Sequence, residues 1–591
     1  MNSRSESFRA VVRAGAFPKL SALASAAAFI LFTGLLHAHS PIAPTVTVYT
    51  AREILTLDAD HSVVSAVAVA GSRIVGTGSL DTVLANLGDR KHVIDERFKN
   101  QIIVPGFIAQ HDHPLLTALT MTSEIIAIED WALLDRTIPA ARDHKDYLQR
   151  LRAAEQALET PDELLLTWGY HGDFHGDLNR AELDGISSTR PIIIWHRSCH
   201  EMILNTRALE LATITPEWLS DLPETARQQL DYEQGHFWEQ GLFGILPKML
   251  PVIATPGRLK AGLEFMIRYF HANGITLAAE PGGVLSRDLQ RAQNAALSPA
   301  ETPFRFYFIP DGKSLVAAYG DQAVAETANL LDWGEGMTSI LPGQVKLFAD
   351  GAIYSQLMQV RDPYTDGHEG EWLMEPELFT SAFAQYWDAG YQIHVHVNGD
   401  AGLDMVLNAL ESSQERTPRE DHRTVIVHFA VSTSQQVDRI QRLGALVSAN
   451  PYYPVALADS YRESGLGPER ADPMVRLGDL ERRGLSYSLH SDMPMAPAQP
   501  LFLMHSAVNR VTASGRVTAP EQRASHLGAL RAITLDAAYS LQQERDVGSI
   551  EAGKLANFTV LGANPLSVER SVIKDIPVRA TVHEGRVFPI R

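Results

Sequence analysis

The chain has very little cysteine and no excess of positive charge. Cys199 is the only cysteine among the 591 residues, so the chain can form no internal disulfide and no metal site built from several thiolates. A metal site would therefore have to use histidine, aspartate, glutamate or lysine. The formal net charge of −19 at pH 7 argues against a nucleic acid or an anionic membrane surface as the main partner, because both would repel an acidic protein.

The overall composition is that of a globular protein. Hydrophobic residues make up 45% and charged residues 20% of the chain, which is enough apolar material for a large core. At 591 residues the chain exceeds what one hydrophobic core usually organises, so we expect one catalytic domain with attached parts.

The first 40 residues differ in kind from the rest. Four basic residues precede an apolar run at positions 20–36, and small residues follow around Ala38. This order predicts a secretory signal peptide. The run is also close to the shortest length that crosses a bilayer, so an uncleaved membrane anchor at 1–40 is one alternative, and a cytoplasmic extension is another. We therefore expect the protein to be exported to the periplasm or medium, or attached to a membrane by this segment.

Short β-branched segments separated by turn residues occur at both ends of the remaining chain. They cover residues 45–100 and return at 545–591. Because chain termini often meet in space, these two pieces predict one small composite β domain formed by both chain ends.

The middle of the chain, residues 101–544, alternates short apolar runs with helical patterns. This alternation predicts an α/β fold, specifically a (β/α)₈ TIM-like barrel of parallel strands. Residues 114–270 separate the first two runs and are interpreted as an insertion that overhangs the active-site mouth, because functional loops leave the C-terminal ends of barrel strands. The eight runs are 102–108, 275–279, 304–309, 344–348, 391–397, 424–428, 445–449 and 485–490.

Histidines recur at the ends of these runs. His111 and His113 are two residues apart after the first run, and in a strand such residues point to one face, so both could bind one metal. The alternative is a pair of solvated loop histidines. His394, His396 and His428 occupy equivalent positions further along. Several histidines at the same end of successive strands favour a common site over isolated core histidines.

Two further residues complete the candidate site. Lys346 lies among apolar residues, where a lysine is costly unless paired or chemically altered; a salt bridge to Asp350 is the structural alternative. Asp492 follows the last run, where barrel enzymes hold catalytic groups, although it could instead cap a turn before Pro494.

With these residues identified, the chain from about 45 to 590 resembles the amidohydrolase superfamily of metal-dependent hydrolases. Within it, the chain is similar to the amidohydrolase family 3 group that includes N-substituted formamide deformylase. The resemblance is carried by the segments PGFIAQHDH (105–113), VKLFADG (345–351), HVNGD (396–400), VH (427–428), SDMP (491–494) and GSIEAGK (548–554).

The resemblance implies a site for one or two divalent ions. Zn²⁺ is the default metal for a site rich in histidine with a carboxylate, and iron, manganese and nickel are alternatives. It further implies that Lys346 is carboxylated and bridges two metals, and that Asp492 also shuttles protons. His200 would approach the substrate and stabilise an oxyanion, the alternative being a histidine of a surface loop. The implied metal ligands are His111, His113, Lys346, His396, His428 and Asp492.

Three features depart from the family's pattern. Val427 stands where an acidic residue is common, His490 stands where glycine is common, and the run 355–358 is unusual. We expect all three to lie near the pocket and to alter substrate choice.

The expected function is metal-dependent hydrolysis of a non-peptide C–N bond, such as an N-acyl or N-formyl amide of a small molecule, by a metal-activated water. A lactonase and a deaminase of an aminated ring are alternatives, because the same activated water attacks those electrophiles. A catalytically inactive binding or regulatory protein is the alternative from another class. The sequence leaves open whether the chain forms a homo-oligomer.

Overall fold

The computed structural model describes residues 45–283 and 286–590. The predicted signal peptide or membrane anchor at 1–40 lies outside these residues. Among the helices that are described, none is both long enough and apolar enough to span a membrane.

The strands pair into four main sheets and one short hairpin. In chain order they are β1 (Val46–Leu55), β2 (Val63–Ala70), β3 (Arg73–Gly78), β4 (His92–Asp95), β5 (Ile102–Pro105), β6 (Phe107–Ala109), β7 (Glu124–Ile125), β8 (Trp131–Ala132), β9 (Thr137–Ile138), β10 (Leu165–Tyr170), β11 (Ile192–His196), β12 (Glu201–Leu204), β13 (Leu230–Asp231), β14 (His236–Trp238), β15 (Ile275–Pro281), β16 (Arg305–Ile309), β17 (Thr338–Ile340), β18 (Gln344–Phe348), β19 (Gln392–Val397), β20 (Val425–His428), β21 (Leu446–Ala449), β22 (Tyr487–Leu489), β23 (Phe558–Leu561), β24 (Val578–His583) and β25 (Arg586–Pro589).

The α-helices mostly lie between the strands along the chain. They are α1 (Leu80–Leu87), α2 (Pro114–Thr120), α3 (His144–Ala157), α4 (Gly172–His175), α5 (Arg180–Ile186), α6 (Thr206–Leu211), α7 (Pro216–Leu219), α8 (Glu224–Gln228), α9 (Glu239–Ile253), α10 (Pro256–Ala272), α11 (Arg287–Leu297), α12 (Gly312–Tyr319), α13 (Ala323–Asn329), α14 (Pro376–Asp388), α15 (Asp400–Arg416), α16 (Ser434–Leu443), α17 (Tyr453–Ala456), α18 (Ala458–Glu463), α19 (Pro468–Ala471), α20 (Leu477–Arg482), α21 (Pro500–Asn509), α22 (His526–Ala532) and α23 (Leu535–Ser540). Short 3₁₀ helices span Gly320–Gln322, Leu331–Trp333, Ile353–Ser355, Pro520–Gln522 and Arg570–Asp575.

One sheet contains strands from both ends of the described chain. Its order is β25-β24-β23-β5-β1-β2-β3, and β4 also pairs with β1. Strand alternation gives the sheet two buried faces. Val46 and Val48 of β1 pack with α1 on one face, whereas Tyr49 and Ile54 pack with residues of β23 and β24 on the other.

Two parallel sheets form the centre of the fold. Their orders are β17-β16-β15-β6 and β18-β19-β20-β21-β22, and every pairing within them is parallel. Residues on both faces of these strands are buried, as expected for parallel strands between covering layers. Each of the eight predicted runs overlaps one of these nine strands, so the prediction of a mixed α/β fold is confirmed. The remaining strand, β17, was not predicted.

The prediction of one strand over 102–108 is wrong. The run divides at Gly106: β5 joins the sheet of the chain ends, and β6 joins the parallel sheet. The Gly106 N–H donates to the carbonyl of Asn557, and a Cβ at this position would lie 2.1 Å from Thr276 Oγ1. Glycine is therefore required here, because two layers approach the backbone closely where the chain passes from one sheet to the other.

Residues 114–270 carry a sheet of their own. Its order is β13-β14-β12-β11-β10-β7, with parallel and antiparallel pairings. The loop between β11 and β12 and the helix α9 reach the cavity described below, so this part of the chain contributes directly to the candidate site.

Candidate metal centre

The predicted site residues meet where the parallel strands end. His396 lies within β19, His428 is the last residue of β20, and Asp492 follows β22 by three residues. His111 and His113 do not lie in a strand as predicted, because β6 ends at Ala109. Loop geometry, rather than the two-residue period of a strand, brings their side chains together.

Asp492 is at the centre of this cluster. Its Oδ1 lies 3.0 Å from His113 Nε2 and 3.5 Å from His111 Nε2, and its Oδ2 lies 3.7 Å from His428 Nδ1. The Asp492 N–H donates to the His111 carbonyl at 3.0 Å, which fixes the loop after β22 against the loop after β6. One buried carboxylate thus faces three imidazoles.

His428 is surrounded by further polar groups. Its Nδ1 lies 3.2 Å from His490 Nε2 and 3.3 Å from the Tyr453 hydroxyl. His490 Nδ1 in turn lies 2.7 Å from Ser448 Oγ. His490 was predicted to lie near the pocket, and this prediction is confirmed, since its ring also stacks on His111 with 4.8 Å between centroids.

His396 forms the other side of the cluster. Its ring centroid lies 4.4 Å from that of His428, and its Nε2 lies 3.1 Å from Asn398 Nδ2. His394, two residues earlier on the same face of β19, lies 3.1 Å from Gln344 Oε1 and does not line the cavity. Of the histidine pair in this strand, only His396 therefore reaches the site.

Lys346 is buried in the middle of β18. Its side chain is 1% exposed, and its Nζ has no hydrogen-bond partner among the described residues. The predicted alternative, a salt bridge to Asp350, is wrong, because the Asp350 carboxylate instead accepts backbone N–H groups of Asn398, Gly399 and Gln359. Burial lowers the pKa of Lys346 to about 7, since a low-dielectric site disfavours the ammonium form.

His200 lies in the loop between β11 and β12 and lines the cavity. The alternative of a surface-loop histidine is therefore wrong. Its Nδ1 lies 2.6 Å from Glu239 Oε2, and its ring stacks on His396 with 6.0 Å between centroids. Glu239 is fully buried, and its other oxygen accepts the Ala352 N–H at 3.0 Å. Burial lowers the pKa of His200, but the charge of Glu239 and its hydrogen bond outweigh this effect and raise it overall.

A second set of carboxylates holds the cluster in position. Glu280, near the end of β15, places Oε1 3.1 Å from His113 Nδ1. Asp112 accepts hydrogen bonds from the Ser491 hydroxyl and from the Met493 N–H, which orders the chain around Asp492. Burial lowers the pKa of His113, but its hydrogen bonds to Asp492 and Glu280 outweigh burial and raise it to about 10.

The donor set fits a divalent metal ion. His111, His113 and Asp492 form one group whose donor atoms lie within 4.8 Å of one another, and His428, His490 and Asp492 form a second. The measured separations of 3.0 and 3.5 Å in the first group match the roughly 3.3 Å expected between ligands of a tetrahedral ion at about 2.0–2.1 Å. Imidazole and carboxylate are donors that Zn²⁺ and related ions accept.

The cluster lies in a cavity of about 410 Å³. His111, His396 and Lys346 belong to its polar part. A largely apolar wall faces them and includes Leu115, Leu119, Leu242, Phe243, Leu246 and Leu250. The cavity is large enough for a small organic molecule and offers it mainly hydrophobic contacts.

The other two departures from the family's pattern are not at the cavity. Val427 points away from it and packs with Val425 and Leu446, because neighbouring strand residues face opposite sides. Of the segment around 352–358, only Ala352, Ile353 and Tyr354 line the cavity. The expectation is therefore wrong for Val427, whereas the run 355–358 directly follows the cavity residue Tyr354 without lining the cavity itself.

Several site residues were missed by sequence reasoning. Glu280 lies just after the predicted strand 275–279 and could have been found by the same strand-end argument as His428. Lys313, in the first turn of the helix after the predicted strand 304–309, could have been found in the same way. Glu239 could not, because it contacts His200 from α9, which follows none of the predicted barrel strands.

A parallel α/β fold is typical of metal-dependent hydrolases when it has histidines and an aspartate at or just beyond the C-terminal ends of its strands and a buried lysine within a neighbouring strand. A sequence model of the Amidohydrolase family matches residues 99–589, and the chain belongs to this family. It is accordingly a hydrolase of carbon–nitrogen bonds other than peptide bonds, and it uses a divalent metal.

Curated relatives cover most of the chain at low identity. N-substituted formamide deformylase of Arthrobacter pascens is 24% identical over 558 residues, which is 90% of this chain and 96% of that protein. The putative amidohydrolase YtcJ of Bacillus subtilis is 23% identical over 550 residues, with 88% and 95% covered. Among solved structures, an uncharacterized metal-dependent hydrolase from Pyrococcus horikoshii matches with a TM-score of 0.67 and 19% identity, covering 89% of this chain and 99% of that one. At this identity the structural match supports the fold alone.

Proposed function

We propose that this protein hydrolyses the amide bond of small N-acyl or N-formyl compounds that carry an apolar group. The observation that carries the proposal is the convergence of His111, His113 and His428 on Asp492 at the polar end of an apolar cavity. The similarity to N-substituted formamide deformylase over 90% of the chain supports an amide as the electrophile.

The metal is proposed to be zinc, with one or two ions. His111, His113 and Asp492 would hold one ion, and His396 and His428 would hold a second. A carboxylated Lys346 would bridge the two. The buried, unpartnered Nζ of Lys346 and its pKa of about 7 support this modification, because a neutral amine reacts with CO₂ whereas an ammonium does not.

A divalent ion held by these residues would supply a nucleophile at neutral pH, because a bound ion lowers the pKa of a water molecule from 15.7 to about 7. Asp492 accepts the proton of that water and returns it to the nitrogen that leaves, so one carboxylate acts as base and then as acid. The Nδ1–H of His200 donates to the Glu239 carboxylate, so Nε2 carries a proton only when the ring is an imidazolium. The raised pKa of His200 favours that form, in which Nε2–H donates to the oxygen that gains charge as the carbonyl is attacked.

A panel of compounds tests the reaction class. The protein loaded with Zn²⁺ is incubated with N-benzylformamide, an N-acylated benzylamine, a γ-lactone and an aminated pyrimidine, before and after chelation. We expect chelator-sensitive release of amine from the two amides. Faster turnover of the lactone or release of ammonia from the ring would replace the proposal by a lactonase or a deaminase. No turnover of any compound by the metal-loaded protein would contradict the proposed substrate class.

The two parallel sheets are proposed to close into one (β/α)₈ barrel. An isolated parallel bridge between Asp311 and Lys346 links the chain after β16 to β18. The Asp492 N–H bond to the His111 carbonyl links the end of β22 to that of β6. These contacts support a closed ring of strands, and a crystal structure with the two sheets splayed apart would contradict it.

We propose the predicted domain limits as well. Residues 45–100 and 545–591 would form the composite β domain, and residues 101–544 would form the barrel with its insertion at 114–270. The pairing of β23 with β5 and of β5 with β1 supports the first domain and extends its first segment from residue 100 to Pro105, where β5 ends. Deleting 545–591 removes β23, β24 and β25, so we expect the truncated chain to be insoluble; a soluble, folded truncated chain would contradict this division.

Export is proposed from the sequence of residues 1–40. The basic residues followed by the apolar run 20–36 support translocation. N-terminal sequencing of the protein purified from its native cells tests this proposal: a mature terminus near Ala38 supports export, whereas an intact Met1 in the cytosolic fraction contradicts it.

A further inference from the structure

Lys313 is a lysine of the cavity wall that the proposed reaction does not use. It lies in the first turn of α12, which follows β16, and its side chain lines the cavity. Its Nζ lies 4.5 Å from the centroid of the Phe243 ring and 6.0 Å from that of the Phe348 ring. Contact with aromatic faces holds an ammonium in place through cation–π attraction.

The positive charge of Lys313 has no direct partner among the described residues. The nearby carboxylates are committed elsewhere. Asp311 accepts the Ser314 N–H at 3.2 Å and the Ser314 hydroxyl, and Glu239 binds His200 and the Ala352 N–H. No carboxylate oxygen in residues 45–283 and 286–590 lies within 4.0 Å of Lys313 Nζ.

The apolar surroundings of the Lys313 ammonium favour its pairing with an anionic group of a ligand. Phe243, Leu246 and Leu250 contribute apolar surface to the same wall. Burial lowers the pKa of Lys313, and the charges of Asp311 and Glu239 offset this effect only in part. An anion from a ligand would therefore meet an incompletely paired ammonium in a site of low polarity, where a charge-assisted hydrogen bond is stronger than in water.

Lys313 shares aromatic neighbours with the histidines of the cluster. The Phe243 ring centroid lies 4.5 Å from Lys313 Nζ and 5.8 Å from the His200 ring centroid. The Phe348 ring centroid lies 6.0 Å from Lys313 Nζ and 5.8 Å from the His396 ring centroid. All five residues line one cavity, so a ligand that pairs with Lys313 can extend to the histidines.

We propose that the substrate is an amide that carries a carboxylate as well as an apolar group, and that Lys313 pairs with this carboxylate. The inference rests on the proposed amide hydrolysis and narrows its substrate class to N-formyl or N-acyl derivatives of apolar amino acids and similar acids. Lys313 then determines specificity, while Asp492 and the histidines carry the reaction.

A pair of substrates that differ only in charge tests the inference. Racemic N-formylphenylalanine and its carboxamide are compared with the zinc-loaded wild type, Lys313→Met, Lys313→Arg and Lys260→Met, the last being an exposed lysine of α10. We expect Lys313→Met to lower kcat/KM for the carboxylate about 10- to 100-fold and to change it less than about threefold for the carboxamide. Lys313→Arg should retain most of the preference, and Lys260→Met should behave as the wild type.

Binding of unreactive ligands separates this inference from the proposed reaction. Inhibition constants, or thermal shifts where no turnover occurs, are measured for 3-phenylpropionate and 3-phenylpropanamide with the wild type and Lys313→Gln. Tighter binding of the carboxylate that Lys313→Gln abolishes supports the inference even for a protein that cleaves no tested amide. The inference would be overturned if the wild type bound both ligands equally, or if Lys313→Met lowered kcat/KM equally for N-formylphenylalanine and its carboxamide. Either result would leave the proposed amide hydrolysis intact.

Discussion

Replacing Asp492 by asparagine changes a carboxylate into an amide of nearly the same shape at the centre of the cluster. One oxygen can still approach His113 Nε2, which lies 3.0 Å from Oδ1, and His111 Nε2, which lies 3.5 Å from it. The amide cannot accept a proton. We therefore expect the variant to fold and to bind metal, and to lose the part of catalysis that depends on proton transfer.

The size of the loss follows from this role. General acid–base catalysis contributes about 10²- to 10⁴-fold in rate, which corresponds to about 3–5 kcal/mol of activation free energy. The assay is kcat on the best amide of the panel, with metal content measured on the same sample. Asp388→Asn, an exposed aspartate paired with Arg416, is the control and should keep full activity. A kcat for Asp492→Asn within threefold of the wild type, at full metal occupancy, would refute the assigned role.

Three other changes have expected outcomes. His111→Ala should lose bound metal together with activity, as measured by elemental analysis after dialysis. Gly262→Ala should destabilise the fold by about 1–3 kcal/mol in chemical denaturation, because the new Cβ would lie 2.1 Å from the Ala118 carbonyl oxygen. Gly257→Ala in the same helix is the control and should leave stability unchanged, because its Cβ would meet nothing within 4 Å. Burial lowers the pKa of His175 from 6.5 to about 4. Between these pH values His175 is protonated in the unfolded chain but not in the folded protein, so up to about 3 kcal/mol of folding stability is lost as pH falls from 6.5 to 4. A His175→Gln variant should therefore lose less stability over that range, as measured by denaturation midpoints.

The sequence predicts the parallel strands well because their signal is local. Each apolar run is short and continuous, most are followed by a helical pattern, and each overlaps a strand of the structure. The exception is informative. Gly106 divides the first run between two sheets because of its contact with Thr276, a residue of another strand. A run of apolar residues carries no information about such a long-range contact.

The candidate site was predictable to the extent that it follows strand ends. His396, His428 and Asp492 were found in this way. The convergence of His111 and His113 was expected for the wrong reason, because both lie beyond the end of β6. Glu239 contacts His200 from α9, a helix that tertiary packing places, so residue spacing gives no indication of it.

Metal dependence is the central claim of this account, and reconstitution tests it most directly. The purified protein is analysed for metal, stripped with a chelator, and reloaded with Zn²⁺, Mn²⁺ or Ni²⁺ while amide hydrolysis is followed. We predict about one to two equivalents of metal in the active protein, loss of hydrolysis on stripping, and recovery on reloading. Full amide hydrolysis by the metal-free protein would contradict the account.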